Sequence, residues 1–346
     1  MQQAETLRQD PAPVLTPETP VAPLPAAVKA ERPSAQITYV PTEKRQKLER
    51  RLTLVVTILP FIGFAWALIW LWGRAVGWLD LGLFFALYCF TGFGVTIGFH
   101  RMLTHRSFEA SKPVKIILAV AGSMAIQGPV VAWVADHRRH HAFTDKPGDP
   151  HSPHLEEAGG VLGVLRGLWH SHLGWFFSPE RTNVSRFAPD MEKDRSMQIV
   201  SKLFPLWVVV SLLLPAAIGW GVSGTLTGAL SGLLWGGAVR IFFLHHMTWS
   251  INSICHFYGK RPFECGDYST NNWILSLLAF GEGWHNNHHA FPSSAIHGLG
   301  RWQIDFSGMV IRFMAKVRLA RNLKIPTAEQ VSMKTGTQGL ADPGRA

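Results

Sequence analysis

The sequence predicts an all-α integral membrane protein: four transmembrane helices, an interfacial or re-entrant helix, and a histidine-rich dimetal site on the cytoplasmic side. Three observations carry that fold class. Of 346 residues, 47% are hydrophobic and only 16% are charged, against about 25% charged in a typical soluble domain. Four runs, residues 52–72, 79–99, 203–221 and 226–247, are apolar and long enough to cross about 30 Å of hydrocarbon. Nine of the 16 histidines fall into four short groups. The charge deficit argues against an ordinary cytosolic enzyme or a disordered regulator. Three scattered cysteines without CxxC spacing build neither a disulfide framework nor a thiolate metal site.

Residues 1–43 hold eight of the 22 prolines and read as a disordered cytosolic tail, with too little apolar surface to offset ordering. A basic run, Lys44 to Arg51, precedes the first span. The links after spans one and three, residues 73–78 and 222–225, carry one charge, Arg74. Nearly all other Lys and Arg lie before residue 52, between 100 and 115, between 135 and 203, or beyond the last span. The positive-inside rule therefore puts both termini and the long loops in the cytoplasm. That topology accounts for the net charge of +10, and no nucleic-acid partner is needed. Residues 114–134 are almost as apolar as the spans but are interrupted by Gln127, Gly128 and Pro129. Residues 303–324 mix apolar and basic positions and read as an amphipathic helix on the membrane surface. A membrane domain of residues 44–324 and a flexible tail, 325–346, complete the organisation.

His100 and His105 form HxxxxH at the end of span two. His137, His140 and His141 form HxxHH, as do His285, His288 and His289, and His256 follows the last span. Positions i, i+3 and i+4 share a helix face, and the adjacent pair diverges by about 100°, so each triplet can feed two neighbouring metals. HxxxxH does not align on a regular helix, so one of its members is expected past a helix end. Neutral imidazole suits iron, zinc, copper and nickel. A lone histidine is ordinarily a satisfied polar residue; two such triplets in a charge-poor chain are not. Convergence requires every group on one side of the membrane. Segment 114–134 must then not cross. Asp136, Asp145, Asp149, Asp267 and Glu282 lie close to these groups, and some are expected to accept the second N–H of an imidazole. His154, His170 and His297 read as loop or surface residues, and His245 and His246 as structural or tunnel residues.

His100–His105, Trp133–His141, Asp149–His151, Ser171–Trp175, Asn252–His256 and Gly281–Pro292 together resemble the membrane fatty acid desaturases, in particular the stearoyl-CoA Δ9 branch. The resemblance implies a cytosolic helical cap over the spans and two Fe ions held by the nine histidines, with Asn252 linked through water. It implies O2-dependent removal of two hydrogens from adjacent methylenes, giving a cis double bond; two external electrons and the two hydrogens reduce O2 to two waters. Gln127, Trp133, Thr248 and Trp249 match positions near the kink of the family's substrate tunnel, and Asp136 the headgroup side. Ala135 stands where the animal enzymes carry a basic residue, so the carrier is open among CoA, acyl carrier protein and lipid, with acyl-CoA the expected one. No HPGG haem segment and no GxGxxG after a strand pattern is present, which implies a ferredoxin- or rubredoxin-type carrier with an NAD(P)H flavoprotein reductase. The expected location is the bacterial plasma membrane. The alternatives are a related histidine-box hydroxylase and a membrane metal transporter or sensor.

Overall fold

The computed structural model describes residues 36–71, 76–155 and 159–336. Most of the expected tail 1–43 and the end of the tail 325–346 lie outside them. What is described of both tails is ordered. Thr38–Tyr39 (β1) pairs antiparallel with Arg181–Thr182 (β3), and Ala328–Gly336 forms a helix, α15. The other short strands, Glu109–Ala110 (β2) and Ala320–Arg321 (β4), also pair antiparallel.

Four helices are long and apolar enough to cross a membrane. The first, α1 (Glu43–Leu71), absorbs the basic run into its first turns, where Glu43–Lys47 and Arg45–Glu49 pair at i,i+4. Leu52, Val55, Leu59, Ile62, Trp66 and Ile69 stay exposed along it, the surface expected of a lipid-facing helix. The second, α2 (Trp78–Phe93), runs into a π-helix, Gly94–Thr104. The third is α9 (Phe204–Ser223). The fourth joins α10 (Leu226–Gly232), a π-helical stretch Leu233–Val239, α11 (Arg240–Ser253) and a 3-10 turn ending at His256. It is therefore nine residues longer than the expected 226–247, because the histidine-bearing end continues the helix.

Small residues let these helices touch. A Cβ on Gly219 would sit 2.1 Å from the Gly228 carbonyl oxygen, and one on Gly232 would sit 2.2 Å from that of Pro215. Close approach of this kind replaces the hydrophobic drive that lipid removes. Between the second and third spans lie α3 (Lys112–Ser123) and α4 (Val130–Phe143). At 12 residues, α3 is about 18 Å long, short of the about 30 Å a crossing needs. The break falls at Met124–Pro129, around the Gln127-Gly128-Pro129 interruption. Ile126 there has φ +58°, a strained value for a β-branched residue. Arg240, fully buried, clamps the break by donating to the carbonyls of Met124, Ser211 and Gly236 and to Ser211 Oγ.

The remaining helices gather at the end of the spans where α2 and α11 lead. They are α5 (Gly160–His172), α6 (Val184–Phe187), α7 (Pro189–Lys193), α8 (Arg195–Lys202), α12 (Trp273–Leu278), α13 (His285–Ala290) and α14 (Phe306–Lys316). The largest core lies here, joining Ile97, Phe99, Val130, Val134, Met197 and Ile311. Helix α14 is shorter than the expected 303–324. Its chain turns into β4, which is tied to β2, and its inner face packs Ile311 and Met314 into the core while Met309 and Phe313 stay exposed.

Candidate metal centre

Each histidine group is presented by a different local structure. In the π-helix the His105 N–H donates to the His100 carbonyl, five residues back. That i→i+5 spacing brings the two rings to 4.8 Å between centroids, with His105 closing the helix. HxxxxH thus aligns on a wider helix rather than on a regular one. Helix α4 carries His137, His140 and His141, and Trp133 stacks on His137 at 5.1 Å. His256 ends the turn after α11. His285, His288 and His289 ride on the six-residue α13, too short to hold itself. Asn286 and Asn287 pin it: Asn271 Oδ1 accepts from both backbone N–H groups, Asn286 bonds Phe263 and Ser269, and Asn287 Nδ2 reaches the His297 carbonyl.

The nine histidines form two adjoining sets. His100, His105, His137, His141 and His288 make one, and His140, His256, His285 and His289 the other. Within each set one donor atom per residue lies within 4.8 Å of all the others. In the five-histidine set the Nε2 contacts are His100–His288 at 3.1 Å, His288–His141 at 2.9 Å and His141–His137 at 3.2 Å. In the other set His285 Nε2 lies 2.9 Å from His256 Nε2 and 3.1 Å from His289 Nε2. Two imidazole nitrogens each about 2.1 Å from one metal ion stand about 3.0 Å apart at a right angle. The observed spacing is that of a coordination edge.

Four carboxylates fix the orientation. His140 Nδ1 donates to Asp149 at 3.0 Å, His256 Nδ1 to Asp145 at 2.9 Å and His289 Nδ1 to Asp267 at 2.9 Å, while His100 Nδ1 lies 2.5 Å from Glu282 Oε2 as an ion-pair contact. Each bond leaves the Nε2 lone pair facing the centre of its set. Burial alone would raise the Asp145 carboxyl, but His256, with Ser152 and the Tyr268 N–H, holds it down at about 2. Asp149 is likewise held far below the carboxylate range by His140 against the opposing effect of burial. Burial favours neutral His140, yet Asp149 outweighs it and raises the ring above its usual value, making it a more basic donor. Burial, reinforced by neighbouring histidines, pushes His105, His137, His141, His285, His288 and His289 well below 6.5. They are neutral, as metal ligands must be.

The residues fit a bound metal pair. The buried Nε2 atoms of His105 and His140 have no hydrogen-bond partner. In the four-histidine set three lone pairs meet one further imidazole nitrogen. A proton on His285 satisfies at most two of them; a cation satisfies all. A cavity of about 330 Å³ opens onto both sets, lined by His105, His141, His289, Arg138, Thr144, Cys265, Asp267 and Pro292.

Of the other expected site residues, Gln127 Nε2 donates to Thr248 Oγ1 at 2.7 Å, and Trp249 is buried against His245 at 4.7 Å. Asn252, half-buried on α11, follows Thr248 by one turn. Asp136 does not orient an imidazole. It faces Thr182, with Arg139 and Arg181 near, and burial pushes its carboxyl up to about 6 against those partners. His297 lies in a loop but not at the surface: at 1% exposure it packs on His288 at 4.5 Å and His100 at 5.4 Å. His170 lies on α5 rather than in a loop, while His154 is exposed. His245 Nε2 bonds the Ala125 carbonyl, and His246 Nδ1 meets His172 Nε2 at 3.0 Å. Also unforeseen is Arg101, fully buried beside His100, which pairs with Glu282 and Asp305. Its only sequence signal was a charge at the end of a span.

The sequence profile of the fatty acid desaturases matches residues 76–305. The chain is 41% identical to the hex-5-enoyl-[acyl-carrier protein] acetylenase of Moorena producens, over 83% of this chain and 90% of that one. It is 38% identical to the sn-1 stearoyl-lipid 9-desaturase of Synechocystis (74% and 76% covered) and 39% identical to delta-9 acyl-lipid desaturase 1 of Arabidopsis thaliana (73% and 78%). With histidine sets able to hold metal at the end of four membrane-length helices, this chain belongs to the fatty acid desaturase family and is an oxidoreductase of lipid metabolism.

Proposed function

We propose that the chain is an O2-dependent Δ9-type desaturase that introduces a cis double bond into a long saturated acyl chain, using two Fe ions held by the nine histidines. The observation that carries this reading is the pairing of two imidazole sets, each with carboxylate-oriented rings, at the shared end of spans two and four. When bound, the metal pair would activate O2, the oxidant for a C–H cleavage that no side chain can perform. The chain's own residues fix the tautomers through Asp145, Asp149, Asp267 and Glu282. Asn252 would reach one metal ion through water. Trp133 and Trp249 supply apolar walls. The Gln127–Thr248 bond pairs polar groups that would otherwise be left unsatisfied beside an apolar acyl chain.

The relatives' names divide among acyl-lipid, acyl-CoA and acyl-carrier-protein substrates. Ala135, together with the lipid desaturases among them, favours an acyl-lipid over the acyl-CoA expected from the sequence. Electrons come from a ferredoxin- or rubredoxin-type carrier served by an NAD(P)H reductase, approaching where His105, His141 and His289 line the open cavity. Both termini and the metal centre face the cytoplasm of a bacterial plasma membrane. Expression in a desaturase-deficient host, with lipid-class-resolved mass spectrometry, tests the reading. A new monounsaturated chain in one lipid class is expected; a hydroxylated product would overturn it in favour of a hydroxylase.

A further inference from the structure

Four of the nine histidines have their second nitrogen on a carboxylate. His288 does not. Its Nδ1 is buried without a partner, although its Nε2 sits between those of His100 and His141. The ring stacked over it is His297, 4.5 Å away and tilted by 34°. Both nitrogens of His297 are themselves buried without partners. Its Nδ1 lies 3.7 Å from Glu282 Oε2, the oxygen that holds His100 Nδ1. Three unsatisfied nitrogens on two touching rings, beside a carboxylate, are a costly arrangement unless water bridges them.

The backbone of His297 is fixed from two sides. Its N–H donates to Asp305 Oδ2 at 2.7 Å, and its carbonyl accepts from Asn287 Nδ2 at 2.8 Å. Asp305 is locked to Arg101, which also grips Glu282. The residue is therefore held by the same groups that hold His100 and His288.

We propose that His297 is a positioning residue for the five-histidine set: one ring nitrogen accepts the Nδ1–H of His288 through a bridging water and the other donates to Glu282 in the same way. Glu282 thereby orients two rings of that set, His100 at first hand and His288 through His297. The inference rests on the metal-binding part of the proposed function and on nothing about the acyl substrate.

The test uses metal uptake by the full-length, detergent-solubilised protein stripped of metal and titrated with Co(II), read by its visible absorption. His297→Phe keeps the ring and removes both nitrogens; His297→Gln keeps an acceptor and a donor. Loss of such an outer partner typically weakens metal binding about 10- to 100-fold. His297→Phe is expected to weaken one of the two binding phases by that factor and leave the other unchanged, with His297→Gln recovering most of the loss. In a His285→Ala background the surviving phase should still respond to His297→Phe, and in a His288→Ala background it should not. Two unchanged phases in His297→Phe would overturn the proposal. So would equal weakening of both phases without rescue by Gln, the sign of a packing defect. If the wild-type protein takes up no metal in either set, the metal centre itself fails, and this role with it.

Discussion

The two histidine sets lie side by side but are held differently. In the four-histidine set three rings are tied to carboxylates, Asp149, Asp145 and Asp267, and His140 and His256 are almost fully buried. In the five-histidine set only His100 is tied directly, while His105, His137 and His141 are half-buried and two of them line the open cavity. One set gains affinity from the negative charge and orientation around each ring; the other has one more imidazole and looser rings. This asymmetry teaches that equivalent sequence motifs need not give equivalent sites. The four-histidine set is expected to bind metal more tightly, and the five-histidine set to be the more accessible.

The largest expected effects come from removing a ring in either set. His288→Ala and His140→Ala should each lose bound iron and abolish detectable double-bond formation while the protein still inserts. Iron analysis of the purified protein with product mass spectrometry checks this, and full activity in either variant would break the picture of two cooperating sets. Next is Arg101→Met. Removing one partner of a buried ion network costs about 3–5 kcal/mol, because Glu282 and Asp305 are left charged and unpaired. The five-histidine set should loosen first, seen as thermal destabilisation with preferential loss of one metal. A smaller effect, about 10- to 100-fold in affinity, is expected for Asp149→Asn or Asp267→Asn, confined to the four-histidine set. If the stripped variants refill the two sets in the wild-type order, the assignment of tighter binding to the carboxylate-held set is wrong. The smallest effect concerns acid. Asp145 titrates at about 2 in the folded protein, against about 3.9 when unfolded. Its pairing with His256 therefore stabilises fully above about pH 4, and that contribution disappears as pH falls toward about 2. Asp145→Asn should flatten the acid-unfolding curve across that window and lower stability by a constant amount above it.

Much of this was legible before any coordinates. Hydropathy located the four spans to within a few residues at most ends, because lipid selects composition directly. HxxHH spacing brought the histidines together, since it is a local, helical rule. The Gln127-Gly128-Pro129 interruption marked the break between α3 and α4. What escaped was non-local or conformational. Nothing in the periodicity of residues 94–104 distinguishes a π-helix from an α-helix, yet the π-helix is what aligns His105 with His100. His297 stands alone in sequence, and its burial is decided by Asn287 and Asp305, ten and eight residues away. The chain beyond residue 316 leaves its helix because β2 captures it, an event more than 200 residues removed in sequence. Asp136 adjoins His137, but adjacency on a helix means a turn of about 100°, which points it elsewhere.

The clamp made by Arg240 bears on how the protein is assembled. Among the described residues no carboxylate pairs with this guanidinium, and only the Gly236 carbonyl comes from its own helix; Met124 and Ser211 lie on two other segments. A charged side chain at membrane depth is costly until it is solvated. The last helix is therefore tied to the third span and to the break after α3, whose carbonyls do for Arg240 what water would do outside the bilayer.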